Sequence, residues 1–287
     1  MERFSDVKKG AIFLIFSALG FAIMSIFVKL AGPDIPATQK VLFRNMISMS
    51  LAFYMVKKNG LSLFGQSRHR PFLLLRSLFG TIGMVLFFYS IDHLVISDAN
   101  MLNKLSTFFL ILFSAVFLKE HAKRYQVIAI VIAFLGTLLI IKPAFNVEII
   151  PYITSVSAAM FAGAAYTMLR VLGNKESTYT VVFFFSGFSI MVLGPLVLFT
   201  YTPMTMIQVL YLVLAGVFAT IGQFGITLAY KYAAAREISI FNYFNVLFAG
   251  ILGWIVFSEV PDGVSLMGYG LIFAASYYIF YQNKKRS

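Results

Sequence analysis

The sequence predicts an all-α integral membrane protein of ten transmembrane helices, built as two inverted five-helix repeats. Three observations predict it. The chain is 60% hydrophobic and only 12% charged, where soluble domains carry about 25% charged residues. It divides into ten apolar runs, each near the roughly 20 residues that a spanning helix needs. And the phrase "FGTIG" at 79–83 returns as "FATIG" at 218–222, an offset of 139 (222 − 83).

The runs are spans 1 to 10, at 10–30, 38–56, 72–91, 98–118, 124–142, 151–170, 178–200, 206–230, 237–257 and 263–281. The opening "MERFSDVKKG" sets basic residues before an apolar run as a signal peptide does. It lacks a small-residue cleavage pattern, and the run is long enough to cross a membrane, so it reads as span 1. The connections are a few residues long, except 57–71. That leaves no room for an extramembrane domain, and function is expected between the helices.

Lys and Arg favour the cytoplasmic side of short connections. With the N-terminus inside, Arg3, Lys8, Lys9, Lys57, Lys58, Arg68, Arg70, Lys119, Lys123, Arg124, Arg170, Lys175, Lys231, Arg236, Lys284, Lys285 and Arg286 fall on that side; only Lys29, Lys40 and Lys142 fall outside. The net charge of +12 therefore follows topology and the anionic inner leaflet, and no nucleic-acid partner is expected. Three basic residues, Arg44, Arg76 and Lys104, fall within spans.

The offset of 139 aligns spans 3, 4 and 5 with spans 8, 9 and 10 without a gap. Asn103 meets Asn242, Asp98 meets Glu237, Phe109 meets Phe248 and Glu120 meets Glu259. Five spans is an odd number, so the second copy enters the membrane from the opposite side. Residues 1–142 and 143–287 are the two expected repeats. Inverted repeats of this kind belong to secondary transporters, with substrate bound near the midplane between them.

Several passages bear a family likeness: Lys29 at the end of span 1, "FRN" in span 2, "FGTIGMVLFFYSI" in span 3, "LSTFFLILFSAVFLKEHAKRYQVIAIVIAFLGTLLI" in spans 4 and 5, and "NVLFAGILGWIVFSEVPDGVSLMGYGLIF" in spans 9 and 10. Over nearly its whole length the chain resembles the ten-helix EamA-type transporters of the drug/metabolite transporter superfamily. The resemblance implies a central cavity lined by spans 1 to 4 and 6 to 9, with spans 5 and 10 outside it. Many members of the family carry Pro thirteen residues before each terminal Glu; here Thr107 and Val246 stand there. A break of spans 4 and 9 is then either absent or made differently.

Polar residues are costly in lipid and face a bundle interior or a cavity. Asn100, Asn103, Lys104 and Thr107 follow an i, i+3, i+4, i+7 pattern, one face of span 4. Span 9 answers at the repeat-related positions with Ser239, Asn242, Tyr243 and Val246, with Asn245 adjacent; span 8 offers Thr220, Gln223 and Thr227, and span 2 Arg44, Asn45 and Ser48. Arg44, Asn100, Asn103, Lys104, Thr107, Thr220, Gln223, Asn242, Tyr243 and Asn245 are the candidate substrate contacts. The alternative for each Asn is helix-helix hydrogen bonding; for Arg44 and Lys104 it is snorkelling to an interface. Arg76, four residues into span 3, reads as a snorkelling residue, and Lys29 as an interface anchor. The glycines of "FGTIG" and "FATIG" read as close helix packing.

The chain has no Cys, and its three His lie in or beside connections, so no catalytic centre, metal or cofactor is expected. No Asp or Glu stands deep in any span. Cations without an acid favour a substrate bearing carboxylate or phosphate. The expected function is alternating-access transport of a small anionic or zwitterionic metabolite such as an organic acid or amino acid, and the resemblance implies the export direction. A nucleoside, nucleobase or cofactor carrier is the alternative, ahead of a lipid-headgroup flippase. The partners are a small-molecule substrate and the bilayer, the oligomeric state monomer or homodimer, and the location a bacterial plasma membrane with both termini cytoplasmic.

The topology is open to a direct test, since the chain has no native Cys. Ser67→Cys and Thr202→Cys should react with an impermeant thiol reagent from opposite faces of intact cells. Labelling of both from one face would contradict the inverted repeat.

Overall fold

With no water to satisfy backbone groups, a chain crossing lipid must close its hydrogen bonds within each segment, and these runs do so as helices. The computed structural model describes residues 2–119, 123–142, 149–232 and 238–285. Its helices are α1 (Glu2–Leu30), α2 (Ala37–Lys58), α3 (Arg70–His93), α4 (Ile96–Asn103), α5 (Ser106–Phe117), α6 (Arg124–Ile141), α7 (Ile150–Leu172), α8 (Thr178–Thr200), α9 (Met206–Tyr232), α10 (Phe244–Phe257) and α11 (Gly263–Lys285). Among the described residues, nine helical segments are long and apolar enough to span. The tenth, α2, falls short because Gln39, Lys40, Arg44 and Asn45 crowd its first half, and all four are buried against neighbours instead.

Spans 4 and 9 are each broken, so α4 with α5, and a short 3-10 segment Ser239–Tyr243 with α10, together make one span apiece. The missing prolines are not needed. At the first break the N–H groups of Lys104 and Leu105 reach back only three residues, to the carbonyls of Met101 and Leu102, both at 3.0 Å. At the second, Phe244 N–H reaches back to Phe241. Lys104 and Leu105 plus 139 are Tyr243 and Phe244, so the same tightening recurs at equivalent places. Lys119 and Ser258, also 139 apart, both close their helices in left-handed backbone, at φ 54° and 58°.

Packing carries the same symmetry. α1 lies along α9 and α3 along α7; α2 meets α8 and α6 meets α11; α1 touches α10 as α7 touches α4 and α5. Exchanging each span for its partner five places on turns every one of these pairings into itself or into another of them. The fold is thus a bundle of two inverted five-helix repeats, with the main contacts made between repeats.

Glycine permits the closest of those contacts. A Cβ at Gly20 would lie 3.0 Å from the Gly222 nitrogen and 3.1 Å from the Phe218 carbonyl oxygen, and one at Gly83 would lie 3.1 Å from the Ala158 carbonyl oxygen. Gly83 and Gly222 are the repeat-related glycines of "FGTIG" and "FATIG", and both are packing residues. Gly20→Val should therefore destabilise the bundle by about 1–3 kcal/mol, the usual cost of overpacking. Gly270 has nothing within 4 Å of an added Cβ, and Gly270→Ala should be neutral or stabilising by up to about 1 kcal/mol. Thermal unfolding of the two variants in the same detergent would separate them.

Candidate functional site

The first break gives span 4 two segments with different helical registers, so the four polar residues do not share one continuous face. Asn100 is buried and donates to the Ile96 carbonyl one turn back, at 2.9 Å. Thr107, beyond the break, is exposed, while Asn103 and Lys104 at the break are half-buried. Neither Asn103 nor Lys104 has a side-chain hydrogen bond or ion pair among the described residues.

The other candidates are mostly engaged. Arg44 is 5% exposed, and its Nη1 donates to Asn45 Oδ1 at 2.7 Å. Asn45 in turn donates to Ser189 of α8 at 2.8 Å. Thr220 bonds the Gly216 carbonyl and lies 3.2 Å from the Ser48 hydroxyl, tying α9 to α2. Asn245 donates to the Ala18 carbonyl across the α1 interface. The Tyr243 hydroxyl meets Ser276 of α11, and its ring stands edge-on to Phe273. Gln223 and Asn242 are half-buried and engaged with neighbours. Glu120 and Glu237 and the side chains of Thr227 and Ser239 lie outside the described residues.

Two further expectations are corrected. Arg76 does not snorkel towards the near end of α3. Its guanidinium carbon lies 4.0 Å from the ring centroid of Phe185, and its Nη1 lies 3.3 Å from where a Cβ on Gly80 would be, one turn further into the bundle. A glycine four residues on leaves the room for this, and the Arg76–Gly80 spacing was the available sequence signal. Lys29 is not a free interface anchor: it pairs with Glu259 and donates to the Leu94 carbonyl at 2.7 Å. Two acids near helix ends are nonetheless buried. The carboxylate-bearing side chain of Asp92 is 3% exposed, and Asp98 is 3% exposed as a whole residue. Both stand near helix ends in sequence, yet those ends are covered by neighbouring helices.

These acids belong to a charged layer at one end of the bundle, where α1, α3, α6 and α10 stop and α2, α4 and α11 start. Lys40 of α2 is fully buried, 2.5 Å from Asp92 of α3 and 3.1 Å from the Val28 carbonyl. Glu259 also accepts from Ile96 N–H at the start of α4. Asp98 accepts from the Tyr269 hydroxyl at 2.5 Å. Lys142 pairs with Asp262, and that hydrogen bond holds the exposed Asp262 carboxyl below the ordinary carboxylate range. The layer joins the first repeat to the second at three places.

Inverted repeats, broken spans at equivalent positions and interior cations define a membrane transporter. The EamA-like transporter family model matches residues 8–142 and 149–281, and the chain belongs to that family. It is 31% identical over 271 residues to the pseudopaline exporter CntI of Pseudomonas aeruginosa, covering 94% of this chain and 95% of that protein. A riboflavin transporter of Vibrio cholerae is 24% identical, covering 97% and 95%. One crystal structure aligns with a TM-score of 0.67 at 15% identity, covering 98% of this chain and 99% of that one, a likeness of fold.

Removing one partner of the Lys40–Asp92 pair leaves a buried charge unpaired, at a cost of about 3–5 kcal/mol. Lys40→Met should therefore unfold well before the parent chain in a denaturant titration. Adding Asp92→Leu should recover most of the loss, and failure to recover would mean that the pair is not coupled.

Proposed function

We propose that the protein exports a small anionic or zwitterionic metabolite by alternating access. The observation that carries this reading is Lys104, a half-buried cation at the break of span 4 with no acceptor among the described residues. Broken helices are where transporters of inverted-repeat build hold substrate. A cation kept there without an acid is an open partner for carboxylate or phosphate. Asn103, without a side-chain partner among the described residues, stands beside it to add hydrogen bonds. Arg44, Asn100, Thr220, Gln223, Asn242 and Asn245 are the further substrate contacts in this reading, whereas Thr107, which is exposed, and Tyr243, turned to Ser276 of α11, are not among them. The named role of the Pseudomonas relative supports the outward direction.

Residues 1–142 and 143–287 are the two repeats that rock against each other in this scheme. The charged layer on α1, α3 and α10 is then the closed outer end, with both termini in the cytoplasm and the chain in a bacterial plasma membrane. Riboflavin transporters among the relatives favour a second reading, a carrier of a ring-bearing cofactor or nucleoside held by amide and hydroxyl groups.

A thermal-shift screen of the purified protein against a metabolite library separates the two, because a ligand bound only to the folded state raises its apparent stability. Carboxylates and zwitterions should give the shifts. A charge-assisted hydrogen bond contributes roughly 1.5–3 kcal/mol, so Lys104→Met should weaken binding of such a ligand about ten- to a hundredfold. It should affect an uncharged ester of that ligand far less. Equal loss for both, or shifts confined to neutral ring compounds, would favour the second reading.

A further inference from the structure

Arg76 is used by nothing described so far. It stands six residues in from the Arg70 end of α3, about 9 Å along the axis, and Arg44 stands seven residues in from the Ala37 end of α2, about 10 Å. Those ends lie at opposite faces of the bundle, because consecutive spans run antiparallel. Arg76 then reaches further in, over Phe185 and alongside Gly80. Arg44 is tied through Asn45 to Ser189, one turn of α8 beyond Phe185. The two guanidiniums therefore come to the same stretch of α8 from opposite faces.

Neither is neutralised among the described residues. Nε and Nη1 of Arg76 and Nε of Arg44 are buried and have no hydrogen-bond partner. The acids that pair among the described residues pair elsewhere: Asp92 with Lys40, Glu259 with Lys29, Asp262 with Lys142, Glu176 with His69 and Asp6 with Lys9. Asp98 is held by Tyr269. A guanidinium cannot shed its proton and offers five donors in a planar fork shaped for carboxylate or phosphate. Two of them brought together in low dielectric, with buried donors unmet, are costly unless an anion joins them.

A recess of about 220 Å³ lies one turn further along α3 and α8. Leu78, Val85, Phe188 and Leu193 line it together with Thr38 and Thr81, and the Thr81 hydroxyl has no partner. We infer that Arg44 and Arg76 form an anion site at mid-depth that takes the carboxylate or phosphate of the transported solute, with the α2–α3–α8 recess receiving its apolar part. The inference rests on the anionic-solute reading above and adds the arginine pair to Lys104 as a second, separately testable contact for the charge of that solute. Reach from both faces suits a site that must open to each in turn.

The test uses the full-length protein in detergent, with phenylacetate and inorganic phosphate as probes and sodium chloride at matched ionic strength as reference. Both probes should raise the thermal midpoint, and neutral phenylacetamide should not. Arg76→Met removes a buried unpaired charge, so without added anion its midpoint should rise by about 2–4 °C, while the anion-dependent shift disappears. Arg44→Lys keeps the charge but not the fork and should reduce that shift. No shift in the parent chain, a shift surviving in Arg76→Met, or a midpoint lowered by Arg76→Met would each overturn the site. If Arg76→Met is not recovered from membranes, Arg76→Gln decides by the anion shift alone. The readout involves no transport, so an inert Lys104→Met would sink the role given to Lys104 and leave the arginine pair standing.

Discussion

The crossing of α1 with α9, and its repeat mate α3 with α7, is the contact on which the rest of the bundle depends. Lipid tails are as apolar as the helices themselves, so no hydrophobic gain drives these helices together, and close van der Waals approach must do it. Gly20 and Gly222 bring two backbones into contact, and Gly83 does so against Ala158. Both crossings join the first repeat to the second. Once they are fixed, α2 with α8 and α6 with α11 fall on the axis between the repeats, and spans 4 and 9 pack against α7 and α1.

That geometry explains why the charged residues divide into two kinds. At one end, Lys40 meets Asp92 of α3, and Lys29 and Lys142 meet Glu259 and Asp262 of the α10–α11 connection, and every such pair spends its charge on holding parts of the bundle together. Deeper in, Arg44, Arg76 and Lys104 meet no acid among the described residues. The first kind stabilises one closed arrangement of the repeats. The second kind adds no such stability, which is the usual mark of groups kept for binding.

The breaks show how one mechanical feature can be built from different residues. Proline would remove a backbone donor outright; here the donors of Lys104, Leu105 and Phe244 are kept and turned to carbonyls three residues back. A turn of three residues rotates the following segment relative to an α-helix. This is why Asn100 and Thr107, one face by α-helical count, end in different surroundings.

The class of the fold was legible in the sequence because it rests on local quantities. Ten runs of sufficient length, basic residues on alternate connections and a phrase repeated at 139 residues are each visible without knowing any contact. The packing role of the repeated glycines was legible for the same reason, since close approach in lipid requires small side chains. Which polar residue meets which was not. Asp92 looks like a helix-end residue until α1 and α2 close over it, and Tyr243 looks like a cavity residue until Ser276 of α11 is found against its hydroxyl. Arg76 is four to six residues from a helix end, a distance from which a long side chain can reach either way. Only the space beside Gly80 and the ring of Phe185, brought there from 109 positions away (185 − 76), turn it inward. Periodicity fixes the face and depth of a residue, whereas the direction and partner of a flexible side chain depend on what the other helices place beside it.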